Sequence, residues 1–426
     1  MITSCFLFLL GFFFAYISSR NIYSMPLIFG VFYFLATFNS YLDVFMLAAI
    51  SYVSLSFGLL LFNIFNSIKP RALLLDFRTK DFGNESHHSS WLLYPVILIA
   101  FLSLAISIYY YANVSISLFS ENVGYDRLVN RYSIPGARIM QRFFRVYLPI
   151  IVIMYYLFQF SPALKKYYST YLFIALFITT AFLLVAGGMR GNVVIFLFIP
   201  FIYIKSLVQP ISSKEMSLAF VFTFGIGFLA TMMMYSSSSG SILLLWEIIW
   251  SRITAGGSDG LSYIVGGYTE SQGYQFGLTY YNDLMSIFSK LGISSQDYVS
   301  LGEEVAMNLL GSRYNGERAA VYFSGELFHN FGMTGVVLGS IFIGYLLQYI
   351  YIGTLKSRKD ITLVAILGFF TASFNSILGG PVIATLFDYF INISFLLLLF
   401  FFINFTLGLG NNRIYVVGNW FNLKKK

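Results

Sequence analysis

Apolar runs of about 18 or more residues recur from one end of this chain to the other, and each is long enough to carry a helix across the hydrocarbon core of a bilayer. That feature removes most folds from consideration. The 426 residues are 58% hydrophobic and 10% charged, with a mean hydropathy of +0.76, whereas about a quarter of a soluble domain is charged. The expectation is an all-α polytopic membrane protein forming one integral membrane domain over 1–426. The first run, "MITSCFLFLLGFFFAYISS", has no basic lead-in and no small-x-small cleavage site, so it reads as a first span rather than a removed signal peptide. Cys5 is the single cysteine, which excludes a disulfide framework and a cysteine metal cluster.

About eleven spans are expected, near 2–19, 22–40, 43–65, 91–111, 146–160, 168–186, 191–208, 216–235, 331–353, 361–379 and 384–406. Under this count Lys69, Lys80, Lys165, Lys166, Lys205, Lys214, Lys356, Lys359, Lys424, Lys425 and Lys426 fall on one side. The positive-inside rule makes that side cytoplasmic, and the N-terminus then faces out. The net charge of +8 is accounted for by this sidedness. It does not point to nucleic acid, because no basic run lies on a soluble module. Two segments remain outside, 112–145 and 236–330. The longer one mixes aromatics, glycines and scattered charges ("GGYTESQGYQFGLTYYNDLMSIF"), as an ordered cap would. A structureless loop of that length is unusual unless it is functional. Within it, "SILLLWEIIW" (241–250) is too short to span and reads as re-entrant or interfacial.

The basic residues divide by type. Of the 26, ten fall outside, and nine of those are arginines: Arg127, Arg131, Arg138, Arg142, Arg145, Arg190, Arg252, Arg313 and Arg318. A topology signal needs only positive charge, and it belongs inside. Guanidinium is a permanently charged planar fork that grips phosphate with two parallel hydrogen bonds. Arginines outside therefore suit a phosphate or pyrophosphate headgroup held at the membrane surface. Pairing with the outer acids Glu121, Asp126, Asp259, Glu303, Glu304 and Glu317, or contact with lipid phosphates, is the plainer reading of any one of them. In "SIPGARIMQRFFRVYLPI", Pro135 can start a helix. Arg138, Arg142 and Arg145 then fall at i, i+4 and i+7, one face of an interfacial amphipathic helix leading into the fifth span. A cytoplasmic placement of 112–145 would explain its arginines equally simply. In "VAGGMRGNV" (185–193), Arg190 stands at the outer end of two spans, wrapped by Gly187, Gly188 and Gly191. The glycines leave backbone N–H groups open to an oxyanion at the start of the next helix. A tight helical hairpin whose arginine snorkels to the interface is the alternative.

A second constellation runs through "LLGSRYNGERAAVYFSGELFHNFG" (309–332), with Arg313, Glu317, Arg318, Glu326 and His329 close in sequence. Glu326 and His329 are i, i+3 and share a helix face. A carboxylate and an imidazole beside arginines could supply a general base next to an anion clamp; a solvated pre-membrane helix with ordinary ion pairs is the alternative. His87 and His88 fall on the opposite side from His329, so no histidine metal site is expected, and no cofactor. No G-x-x-x-x-G-K-[ST] loop is present. Asp43 and Asp388 are the acids near or within spans, fewer buried charges than an ion-coupled transporter usually shows.

Three stretches, "RNIYSMPLIFGVFYF" (20–34), "GGMRGNVVIFLFIP" (187–200) and "FSGELFHNFGMTGVVLGSIFIGYLL" (323–347), resemble the Wzy-type O-antigen and oligosaccharide repeat-unit polymerases of bacteria. They correspond to the family's basic-then-proline entry to the second span, its small-x-Arg-Gly turn, and its G-E…N-F-G-x-x-G entry after a large outer loop. The resemblance implies a metal-independent, inverting glycosyltransferase of the C-type arrangement in a bacterial inner membrane. It implies that 112–145 and 236–330 are periplasmic. It implies substrates linked to undecaprenyl pyrophosphate, with a polysaccharide chain-length regulator as an expected partner. Arg190 matches the family's arginine in the Arg-Gly turn as a pyrophosphate binder, and Glu326 matches the glutamate of the G-E entry. From position alone, Arg252, Arg313 and Arg318 join Arg138, Arg142 and Arg145 as candidate pyrophosphate binders, with His329 beside Glu326 as a candidate catalytic group. An O-antigen ligase would share fold type and donor, but it usually leans on a histidine within the large outer loop, and 236–328 has none. A flippase or transporter would predict internal repeats and buried charge, and no duplicated halves are visible. A non-enzymatic assembly partner is a further alternative.

Overall fold

The computed structural model describes residues 1–21, 24–80, 82, 89–114, 116, 129–130, 134–187, 193–215, 217, 221, 225, 258–290, 298–311, 319–356, 360–366, 368–370 and 382–406. Among these residues the structure is helical and contains no strand. In chain order the helices are α1 (Ile2–Ser19), α2 (Met25–Phe38), α3 (Leu42–Phe65), α4 (Pro70–Thr79), α5 (Ser89–Asn113), α6 (Ala137–Arg142), α7 (Leu148–Leu157), α8 (Thr170–Ala186), α9 (Ile199–Val208), α10 (Asp259–Tyr263), α11 (Thr269–Gln272), α12 (Leu278–Lys290), α13 (Leu301–Leu310), α14 (Tyr322–Lys356) and α15 (Val382–Thr406). Single π turns at Phe143–Tyr147, Val194–Phe198 and Ile264–Tyr268 lead into α7, α9 and α11.

Among the described residues, six helices are long and apolar enough to cross a membrane: Ile2–Ser19, Leu42–Phe65, Leu92–Asn113, Ile139–Phe160, Tyr322–Lys356 and Tyr389–Thr406. Four shorter apolar helices, Met25–Phe38, Thr170–Ala186, Val194–Val208 and Ile361–Phe370, lie between them. The chain is therefore a multi-pass helical membrane protein. The expected span 216–235 lies almost wholly outside the described residues, as do 241–250 and 371–379. One boundary moves. The expected fifth span at 146–160 begins instead at Ile139. The π turn joins α6 to α7 without a break, and Phe143, Phe144, Val146 and Tyr147 are buried. The stretch expected as an interfacial helix is thus continuous with a largely enclosed apolar helix, at its N-terminal end.

Contacts fix a common polarity for the helices. α1 and α3 run parallel, with Ser4 Oγ on Met46 Sδ near their starts and Asn63 Nδ2 donating to Ser18 O near their ends. α2 returns between them, its Gly30 against the Tyr52 hydroxyl and Phe38 on Phe45. A buried polar cluster closes one end of the bundle. Gln348 Nε2 donates to Ser18 O and Asn63 Oδ1 (both 2.9 Å), Tyr351 to Ser19 O (3.0 Å), Asn21 Nδ2 to Ser206 Oγ (2.8 Å) and Arg78 to Ser206 O (2.6 Å). α1, α3, α9 and α14 therefore end together. The same end carries the ion pair of Lys205 with Glu215 at 2.7 Å. The Lys205 ammonium and the Ser212 backbone N–H hold the exposed Glu215 carboxyl down to about 2. The opposite end gathers the ends of α5 and α8, the starts of α6 and α15, and the break of α14 at Gly332.

α3 and α14 touch backbone to backbone, as small residues allow where lipid gives no hydrophobic drive to association. A Cβ on Gly344 would lie 1.9 Å from Leu55 O, and one on Gly58 would lie 2.0 Å from Ile341 O. Neither carbonyl can yield, so Gly344→Ala must push the helices apart. We expect it to destabilise the folded protein by about 1–3 kcal/mol, as overpacking does, and Gly344→Leu to deplete it from the membrane. Gly353→Ala, on the same helix with open space at its Cβ, is the matched control. Thermal unfolding in detergent checks the pair, and equal midpoints for Gly344→Ala and Gly353→Ala would show that the close contact is not needed.

α14 is broken at Gly332, whose φ of 65° and ψ of −159° leave the helical region. A Cβ on Gly335 would lie 2.9 Å from Leu327 O, and one on Gly339 would lie 2.4 Å from the Leu327 side chain. A straight helix would separate residues 327 and 339 by about 18 Å. Residues 322–331 therefore fold back along the start of the following segment, seated on Gly335 and Gly339. The straight part, 333–356, is about 36 Å long at helical rise and suffices to span. Glu326 and His329 consequently sit at the end of the bundle away from the lysines.

Candidate functional site

The fold-back is pinned by Asn330. Its Nδ2 donates to Thr279 Oγ1 (2.5 Å) and Glu326 O (2.8 Å), and its Oδ1 accepts from Gly277 N (2.8 Å). The backbone joins in, with Gln275 N donating to His329 O and Phe276 N to Asn330 O. Gly277, at φ 95°, makes the turn that lets α12 start here. The motif residues thus have concrete tasks. Gly325 admits Leu261, whose Cδ1 would stand 2.8 Å from a Cβ. Asn330 staples two segments, Gly332 makes the break, and Gly335 receives the returning helix.

Glu326 is fully buried. Its Oε2 accepts the backbone N–H of Val382 at 3.1 Å, which ties it to the first residue of α15. The Asp283 carboxyl, also fully buried, reaches it from α12. The two carboxyls therefore share one buried site between α12 and α14. Tyr280 stands beside both, and burial first, then the fields of Glu326 and Asp283, push its phenol well up. On α12 the buried residues Thr279, Asp283 and Ser286 fall at i, i+4 and i+7, so one polar stripe faces the interior.

His329 is turned to a different neighbour, α10–α11. Thr269 Oγ1 donates to Ile264 O (3.1 Å) and lies 3.1 Å from His329 Nδ1. With the hydroxyl proton on the carbonyl, we assign the imidazole hydrogen to Nδ1, which leaves the lone pair on Nε2. Tyr268 stacks on the ring with centroids 5.2 Å apart and donates to Glu304 Oε1 at 2.5 Å. Burial, then that carboxylate, raise the Tyr268 phenol, so it remains a donor. Glu304 is presented by α13, which begins with a capping box: Ser300 Oγ accepts from Glu303 N while the Glu303 carboxylate accepts from Ser300 N.

The arginines divide between described and undescribed residues. Arg190, Arg252, Arg313 and Arg318 lie outside the described residues, and so do Arg127 and Arg131; of Arg138 only the backbone is described. Arg142 ends α6 and is half-buried. Arg145 lies in the π turn and lines a pocket with Tyr110, Tyr111, Asn130, Gln141 and Gly187. Its guanidinium Nη2 stands 3.6 Å from where a Gly187 Cβ would be, and the Tyr111 hydroxyl 3.5 Å from it. Tyr111 donates to Leu183 O (3.1 Å), Gln141 Nε2 to Tyr110 Oη (2.7 Å) and Tyr110 to Asn130 O (3.1 Å). The arginine-bearing turn and the first glycine of "GGMRG" are thereby brought together by α5, a contact that neither motif announces.

Asp283, Glu304, Tyr268 and Thr269 escaped the sequence reading as partners of Glu326 and His329. The signal for Asp283 was its place on one helical face with Thr279 and Ser286. No protein-family model matches the chain, no curated protein matches it in sequence, and no solved structure matches its fold.

Proposed function

We propose that this protein is a polysaccharide polymerase of the inner bacterial membrane that uses polyprenyl-pyrophosphate-linked glycans. The acceptor hydroxyl of one lipid-linked repeat unit attacks the anomeric carbon of a glycan on a second lipid carrier. The carbon–oxygen bond to pyrophosphate breaks, the polyprenyl pyrophosphate leaves with the electron pair, and a protein base takes the hydroxyl proton. The observation that carries this reading is that Arg145 at the Gly187 turn and the buried Glu326–Asp283 pair with His329 occupy the bundle end opposite Lys205 and Lys214. Guanidinium suits the charge that grows on the leaving pyrophosphate. A carboxylate or the His329 Nε2 suits the proton transfer. Holding both lipid-anchored substrates at one surface supplies proximity. By the positive-inside rule the lysine end is cytoplasmic, which puts the reaction on the outer face.

The test is complementation in the source bacterium lacking this gene, with surface polysaccharide resolved on a gel and membrane levels of protein checked. Arg190→Ala is expected to leave a single repeat unit on the lipid core, and Arg190→Lys to fail to restore the ladder. An intact ladder after deletion of the gene would sink the polymerase reading. Loss of all glycan from the core, with polymer still on its carrier, would assign a ligase instead.

A further inference from the structure

At the lysine-bearing end, a groove of about 580 Å³ opens between the end of α1 and the α3–α4 turn. Ile17, Leu60 and Ile64 form an apolar wall, and Arg20, Lys69 and Arg71 form a basic rim. Among the described residues that line it, none is acidic. The rim is shaped by the backbone. Arg20 closes α1 in the left-handed conformation (φ 54°), and its guanidinium lies 5.8 Å over the Tyr16 ring. Ser67, at φ 50°, turns the chain so that α4 starts beside the groove. Lys69, Pro70 and Arg71, at the uncapped N-terminus of α4, line the groove, so the positive end of that helix dipole borders it. The wall opens to the outside of the bundle, with Ile64 58% exposed.

We propose that this groove seats one anionic phospholipid of the lysine-side leaflet. The phosphate would lie among Arg20, Lys69 and Arg71, and an acyl chain along Ile17, Leu60 and Ile64. Three cations with no acid among them favour a headgroup of net negative charge over a zwitterionic one, whose own ammonium would meet the same rim. The apolar wall continuous with that rim favours a lipid over free phosphate. The site stands at the far end of the bundle from Arg145 and Glu326 and does not depend on the polymerase reading.

Native mass spectrometry of the full-length protein in detergent, titrated with phosphatidylglycerol, phosphatidylcholine or inorganic phosphate, tests it. Phosphatidylglycerol is expected to be retained about tenfold or more over phosphatidylcholine. Arg20→Gln, Lys69→Gln and Arg71→Gln together are expected to abolish that preference. The combination Lys165→Gln, Lys166→Gln and Lys214→Gln removes the same charge from the same end outside the groove, and is expected to keep the preference. Ile64→Trp, which fills the wall without changing charge, is expected to weaken phosphatidylglycerol retention. The proposal is overturned if the two lipids bind alike or if both triple variants lose equally. It is also overturned if inorganic phosphate competes as well as the lipid, or if Ile64→Trp binds as the wild type does.

Discussion

Glu326→Gln should lower polymer formation by about a hundredfold or more while the protein stays in the membrane at normal amounts. The argument rests on what the amide keeps and what it loses. Its oxygen can still accept the Val382 N–H now held by Oε2 at 3.1 Å, and its NH₂ can donate to Asp283. The link to α15 and the packing of the fold-back therefore survive. The carboxylate does not, and a positioned base contributes about 10²–10⁴ to rate. Because the Glu326 and Asp283 carboxyls share one buried site, Asp283→Asn is expected to be similarly damaging. The double variant should be no worse than either single, as for groups that act as a unit. Stability should not follow activity. The amide keeps the size of the side chain and the Val382 hydrogen bond, and removes a titratable group from a buried site, so the Glu326→Gln thermal midpoint is expected to equal or exceed the wild type. Glu326→Ala, which strands the Val382 N–H in the interior, should lose stability as well as activity. Turnover in isolated membranes and thermal unfolding of the purified variants check this. A Glu326→Gln protein with activity within twofold of wild type would make the carboxyl a structural tie to α15 and leave the base to His329.

The membrane class was legible because long apolar runs act one helix at a time, and that signal needs no tertiary contact. That Glu326 and His329 lie on one helix could be read locally, since they are three residues apart. What surrounds them could not. Asp283 comes from 43 positions upstream, and only the turn at Gly277 and the Asn330 staple bring α12 to Glu326. The break at Gly332 reads in sequence as one more glycine in a glycine-rich span. Its meaning appears only when Leu327 is found against Gly335 and Gly339. The π turn at Phe143–Tyr147 has no periodic signature, yet it makes α6 the first part of a candidate span instead of a separate surface helix. The sequence places Glu326 and His329 on a shared face, whereas the structure gives them separate partners, Asp283 and Thr269. Both side chains are buried, and a helix packed all round can present adjacent residues to different neighbours.

Arg145→Ala should reduce polymer formation by about 10²–10³, the loss that follows removal of a donor aimed at developing negative charge. Arg145→Lys should recover only part of it, because an ammonium keeps the charge but not the two-pronged geometry. The pocket supplies a second handle that leaves the arginine in place. A Cβ on Gly187 would sit 3.5 Å from the Tyr111 hydroxyl and 3.6 Å from Arg145 Nη2, which is ordinary contact. Gly187→Ala should therefore be close to neutral. Gly187→Leu puts three more carbons into the space in front of the guanidinium, and should cut the ladder as severely as Arg145→Ala while the charge is unchanged. The four variants are compared by complementation, with polysaccharide length read on a gel and membrane levels of protein measured alongside. If ligand binds at the Arg145–Gly187 pocket, activity follows the space left at position 187. A full ladder from Arg145→Ala at normal protein level would show that Arg145 only braces the α5–α8 packing. A full ladder from Gly187→Leu would place the ligand's phosphates elsewhere.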